Sequence, residues 1–340
     1  VNLVRAEWER LRARRFVQLM LILLVLAFGV TAATTLANSH RPTATELASA
    51  QREAADARRG LELAYEQCVA REQGRLSNEE LGLDPYYTQN CADIDPGRME
   101  RLPVAADFLR GVFTFAQAAL PLLYFLIAFL VLFGFLVGAS YIGADLNSGG
   151  VVNLLLWRPN RTTVLGTKLG TLLGVVGVVS LLASAAYLGT FWLIGQAAGQ
   201  PGAVDGEFWR SLAAVWGRGM VLVLLASALG FAAAALGRHT AAALGVIAAY
   251  AVVWELGARL VMLILDVPRH ERFLLSSYLF AWLSGRMTNW DENACRGVGF
   301  GTTCDGSWYI TQGPALVVLL GLTGAAVGAA FVVFRRRDLI

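Results

Sequence analysis

Six apolar runs, each long enough to cross a bilayer as a helix, constrain this chain more than any other feature. A helix rises 1.5 Å per residue, so about 20 apolar residues match a hydrocarbon core of about 30 Å. Runs of that order occupy residues 16–37, 108–142, 169–198, 207–236, 240–265 and 313–334. Of the 340 residues 56% are hydrophobic and only 16% are charged, more apolar surface than a soluble domain can hide. The expected fold is an all-α integral membrane protein with six transmembrane helices.

The charges then set the topology. Cytoplasmic segments carry the excess of lysine and arginine. Arg5, Arg10, Arg12, Arg14 and Arg15 precede the first run, Arg158, Arg161 and Lys168 follow the second, Arg238 sits in the short turn after the fourth, and Arg335 and Arg336 follow the sixth. Both termini are therefore expected inside. Residues 1–15, with Leu3, Val4, Trp8 and Leu11 at helical spacing beside the arginines, are expected to form an interfacial helix. A cleaved signal peptide competes for residues 1–37 because Ala32, Ala33 and Ala37 are small, but the run 16–36 exceeds a usual signal core and is taken as an uncleaved first span.

Residues 38–107 are polar and expected outside. Thr43 and Glu46 have the spacing of a capping box. Leu47, Ala50, Ala54, Ala57, Leu61, Ala64 and Cys68 follow as a seam of period 3.5, which suits an intramolecular helical hairpin or, less readily, a coiled-coil partner. Residues 266–312 form a second outside loop, whose apolar part, 273–285, is too short to span and reads as a re-entrant or interfacial helix. Cys68 and Cys91 fall in the first loop, Cys295 and Cys304 in the second. If both loops are extracytoplasmic, disulfides Cys68–Cys91 and Cys295–Cys304 follow. Metal ligation is the weaker reading, since His40 and His270 do not stand at ligand spacing from these cysteines. Asp93 and Asp95 lack the twelve-residue pattern of a calcium loop.

Catalytic signatures are missing. The chain has no GxxxxGK[ST] phosphate loop, no GxSxG and no HExxH, and its three histidines are scattered. Nothing points to nucleic acid. One charged pair, Glu255 and Arg259, lies within a span, four residues apart and able to bridge on one helix face. Such charges often line a substrate or ion path, so both are candidate cavity residues. The competing reading has Arg259 reaching the headgroups while Glu255 neutralises it.

The stretch from Tyr141 to Lys168 interrupts two long apolar runs with glycines, a short amphipathic segment at 150–157 and a helix-stopping Pro159. A short helix here, on the cytoplasmic side, could press on a soluble partner. Its order of Asp145, Gly149-Gly150, Leu154-Leu155-Leu156, Pro159, Arg161 and Lys168 resembles the cytoplasmic segment of ABC-2 type transporter permeases. The stretch Glu7-Trp8-Glu9 with the arginines after it resembles the elbow helix of that family, and Phe334 to Asp338 resembles its usual ending. Asp145 stands where the family more often has Glu, and the loops at 38–107 and 295–304 exceed its minimal pattern.

The resemblance implies a cytoplasmic coupling segment at 143–168 that seats on a separate ABC ATPase through Asp145, Gly149, Gly150, Leu154, Leu155, Trp157, Pro159, Arg161 and Lys168. It also implies a bacterial plasma membrane location and a second permease copy, as a homodimer in contact with membrane lipid. The chain itself would hold no cofactor, ATP and magnesium binding to the partner. The function expected is export of an amphipathic drug, antimicrobial peptide or lipid by alternating access. The alternatives are a mechanotransmitting or signalling subunit that passes no substrate, and an intramembrane enzyme using Glu255 or the outside carboxylates.

Overall fold

The computed structural model describes residues 2–83, 90–99, 101–148, 160–291, 294 and 306–336. Helix α1 (Asn2–Arg12) leads into α2 (Arg15–Ala37), followed by α3 (Ala44–Glu72). After strand β1 (Phe113–Thr114) come α4 (Phe115–Asn147) and α5 (Arg161–Ala198), then strand β2 (Gly199–Gln200) and α6 (Gly206–Gly237). A composite helix is built from α7 (Thr240–Ala249), a π-helical segment (Tyr250–Ala258) and α8 (Arg259–Ile264). Helix α9 (Leu275–Ser284), strands β3 (Arg286–Trp290) and β4 (Ser307–Thr311) and helix α10 (Gln312–Arg336) complete the described chain. Among the described residues, six helices are long and apolar enough to cross a membrane: α2, α4, α5, α6, the composite Thr240–Ile264, and α10.

The chain divides into two compact units. One comprises residues 1–30, 119–188 and 205–340, the other residues 31–118 and 189–204.

In the larger unit, α6 is the most buried of the six long helices and the composite Thr240–Ile264 the least. Helix α6 is apolar on nearly every side, as a central helix must be. Helix α9 is tied to it by polar bonds: Arg218 Nη1 donates to the Leu283 carbonyl at 3.2 Å, and Trp282 Nε1 donates to the Arg218 carbonyl at 3.0 Å. The spans are all helical, as expected, and a short strand pair follows α9. Strands β3 and β4 pair antiparallel, with Arg286 opposite Thr311 and Trp290 opposite Ser307. Trp308 and Ile310 point inward and join Ala281 and Ala315 in a small core, while Ser307, Tyr309 and Thr311 face out. That alternation has the period of a strand.

In the smaller unit, the capping box forms: Glu46 N donates to Thr43 Oγ1 at 3.3 Å and Thr43 N to Glu46 Oε2 at 2.7 Å. The Thr43 backbone N–H and hydroxyl hold the Glu46 carboxyl below its usual range. The cap is thus kept at neutral pH and lost as pH falls through that lowered value. Along α3, Ala50, Ala54 and Cys68 are buried and Tyr65 is half-buried, whereas Ala64 is exposed. The buried stripe follows 3.6 residues per turn, because a straight helix drifts off a 3.5 repeat.

The partner of that face is the returning arm of the same chain. Among its described residues this arm holds two short 3-10 turns, Cys91–Asp93 and Ala105–Asp107, and not the second long helix of a hairpin. Pro96 and Pro103 break helix there, and Gly97 N donates to Asp95 Oδ1 at 2.8 Å in a local turn. Arg58 Nε donates to the Pro103 carbonyl at 2.7 Å, and the sulfurs of Cys68 and Cys91 are 2.01 Å apart. Arg41 caps the end of α5 by donating to the carbonyls of Ala197 at 2.9 Å and Gln196 at 3.0 Å. Strands β1 and β2 pair in parallel, Phe113 opposite Gly199.

Candidate functional site

Helix α1 is amphipathic with one inconsistency. Glu7 lies four residues before Leu11, on the apolar stripe, and both are buried, at 1% and 2% exposure. A carboxylate in that position must find cations or hydroxyls, since burial without them is costly. Helices α4 and α5 supply them. Tyr141 and Asp145 stand four residues apart near the end of α4, on one face. Asn160 opens α5: its Oδ1 accepts from Thr163 N at 3.2 Å, and its carbonyl accepts from Val164 N at 3.2 Å. The cap starts the helix at Arg161, two turns before the apolar run begins at 169, and so places Lys168 inside the helix, not at its foot.

These groups converge. Lys168 Nζ, on a side chain 1% exposed, donates to Glu7 Oε2 at 2.7 Å and to Asp145 Oδ2 at 2.7 Å. The buried Tyr141 hydroxyl donates to Glu7 Oε2, and Arg14 Nη2 to Asp145 Oδ1. Arg14 Nη1 also donates to the Ser140 carbonyl at 2.9 Å, and Arg10 Nη1 stands 3.3 Å from Glu7 Oε1. The Arg14 guanidinium and Lys168 ammonium lie 5.2 and 4.9 Å from the Tyr141 ring centre, within range of cation–π attraction. Three cations thus surround two carboxylates.

The arrangement has no nucleophile–base geometry and no cluster fit for a metal. It is mechanical. Asp145 lies just before the segment 149–159 and Lys168 shortly after it, and both are held by α1 through Glu7 and Arg14. The flanks of that segment are locked to the amino-terminal helix by charge-assisted bonds of low exposure, which resist shear because each lost bond leaves a buried charge unpaired.

The other residues named from sequence fall as follows. Gly149, Gly150, Leu154, Leu155, Trp157 and Pro159 lie outside the described residues, as do Cys295 and Cys304. Arg161 opens α5, and its Nη1 reaches the Arg335 carbonyl at 3.5 Å. Lys168 and Asp145 are turned into the cluster with α1, their side chains 1% and 14% exposed.

Glu255 and Arg259 form no ion pair among the described residues, contrary to the four-residue spacing. The π-helical winding of Tyr250–Ala258 brings residues five apart together, and Tyr250 Oη donates to Glu255 Oε2 at 2.9 Å. Tyr250 Oη in turn accepts from Leu275 N at 3.1 Å, and Trp254 Nε1 donates to the Phe273 carbonyl at 2.9 Å. Glu255 Oε1 is buried with no hydrogen-bond partner among the described residues. Cys68, Glu72 and Cys91 bring their ligand atoms within 4.8 Å of one another, but two sulfurs at bonding distance are not thiolate ligands.

Sequence reasoning overlooked Glu7, Arg14 and Tyr141 as site residues. The available signal was Glu7, an acid on the apolar stripe of the helix, where Glu9 and the arginines lie off it. A family model described as "ABC-2 family transporter protein" matches residues 1–339. No curated protein and no solved structure matches the chain.

Proposed function

The chain belongs to the ABC-2 family of transporter proteins, a membrane-spanning permease subunit that associates with an ABC ATPase, and from that premise we propose that it moves an amphipathic substrate outward. In this reading two copies of the chain and two ATPase subunits form the working exporter in the bacterial plasma membrane, with both termini cytoplasmic. The proposed contact with the ATPase is the segment around residues 149–159. ATP and magnesium bind to the partner, and closure of the ATPase pair pushes the segment. The observation that supports this reading is the bonded set Glu7, Arg14, Tyr141, Asp145 and Lys168, which ties the flanks of the segment to α1, α4 and α5 so that a push there would reach all three helices. A push moves the spans only through different contact energies in two states.

Replacing Leu155 and Arg161 together with alanine is expected to release the ATPase in a pull-down from detergent extract. Retention of the ATPase with undiminished coupling refutes the contact. The proposed substrate path includes Glu255, whose Oε1 is buried without a partner. Glu255→Gln is expected to alter substrate-stimulated ATP turnover in vesicles, and unchanged transport and stimulation remove Glu255 from the path. A second reading, transmission of motion without transport, draws on α3, a 29-residue helix held to its own chain near Cys68 and Cys91. ATP-dependent uptake into inverted vesicles separates the two.

A further inference from the structure

A cavity of about 230 Å³ lies among α1, α2, α4 and α5, lined by Trp8, Leu11, Val17, Phe133, Val137 and Val176, with Arg12 and Gln18 at its polar edge. Its floor is dry and built: Leu11, Val17, Phe133, Val137 and Val176 are each at most 4% exposed. The cavity is smaller than the roughly 300–1,000 Å³ that drug-sized ligands use. The wall carrying Val17 belongs to α2, whose neighbouring side chains Leu19, Ile22, Leu23 and Leu26 are 43–58% exposed, as expected of a helix facing lipid.

The polar edge has a definite charge. Of the arginines in residues 5–15, Arg10 pairs with Glu7 and Arg14 with Asp145. Arg12 and Arg15 are exposed and have no ion pair among the described residues. Trp8, 39% exposed beside them, is the residue type that settles at headgroup depth. The Arg12 carbonyl, which would repel an anion, already accepts from Gln18 Nε2 at 3.2 Å. The first turn of α2, which supplies Val17 and Gln18, adds the positive end of a helix dipole.

From this apolar slot with Arg12, unpaired among the described residues, at its mouth, we infer that the groove binds one anionic phospholipid, its acyl chain along Val17, Phe133 and Val176 and its phosphate against Arg12, with Arg15 adding positive charge three residues on. A chain moved from bilayer to groove gains little by leaving lipid, because lipid is equally apolar. Selectivity therefore comes from the headgroup. The site borders the Glu7–Lys168 network, since Leu11 and Arg12 share α1 with Glu7.

The test uses the purified full-length chain in neutral detergent, titrated with dioctanoyl phosphatidylglycerol or dioctanoyl phosphatidylcholine and read by native mass spectrometry. Phosphatidylglycerol is expected to bind one saturable site more tightly than phosphatidylcholine. Arg12→Gln should weaken phosphatidylglycerol about fivefold and leave phosphatidylcholine unchanged, while Gln18→Trp, at the mouth, should weaken both. Equal affinity for the two lipids overturns the inference, and so does a Gln18→Trp variant that binds both as before. An Arg5→Gln loss equal to that of Arg12→Gln shows only diffuse surface attraction and overturns the site. No saturable lipid binding also overturns the inference.

Discussion

Lys168→Met is expected to destabilise the protein by about 3–5 kcal/mol, the cost of removing one partner from a buried ionic cluster. Among the described residues Lys168 is the only group that touches both carboxylates, at 2.7 Å each. Without it, Glu7 keeps the Tyr141 hydroxyl and the partly exposed Arg10, and Asp145 keeps Arg14. Two carboxylates then share a pocket from which water is largely excluded. Arginine is not a conservative replacement, because a planar guanidinium does not fit a site shaped for a compact ammonium. The measurement is unfolding in one detergent, comparing the parent, Lys168→Met, Asp145→Asn and the double variant. Neighbours in one network should couple by about 0.5–3 kcal/mol. A Lys168→Met protein within about 0.5 kcal/mol of the parent, or strict additivity in the cycle, would show that the cluster bears no load.

Hydropathy reports where a helix is apolar, whereas caps report where it begins, and the two diverge at α5. The apolar run begins at 169, but Asn160 starts the helix at Arg161, and the extra turns decide whether Lys168 is a loop residue or a buried one. The partnership of Lys168 with Glu7 joins residues far apart in the chain, and one sequence carries no direct sign of such a pairing. The bridge between Glu255 and Arg259 is missing among the described residues for a different reason: the four-residue rule assumes an α-helix, and Tyr250–Ala258 is wound wider. The strand pair at 286–290 and 307–311 was hidden because five-residue alternations are short beside six long apolar runs. The long helices were legible throughout, since length and apolarity are what a bilayer selects. The capping box of α3 was equally plain, because its chemistry is local.

Gly138→Leu is expected to separate α4 from α6 at a cost of about 1–3 kcal/mol or more, as overpacking of a close contact does. A Cβ built at Gly138 would stand 2.3 Å from the Ser227 carbonyl oxygen, and one at Gly134 2.3 Å from Ser227 Oγ and 3.0 Å from the Val223 carbonyl oxygen. The obstacle at Gly138 is backbone, which cannot swing aside. Inside a membrane, helices associate by packing and small residues, with no hydrophobic drive, so lost contact is not replaced. Gly174→Ala is the control, for a Cβ there meets nothing within 4 Å; it should stay within about 0.5 kcal/mol of the parent. Thermal unfolding in one detergent separates them, and equal midpoints for Gly138→Ala and Gly174→Ala would discount the contact. Asp145 lies about two turns further along α4, so a displaced α4 should also pull on the Lys168 cluster. Gly138→Leu should therefore weaken ATPase coupling while every charged residue of that cluster is still in place.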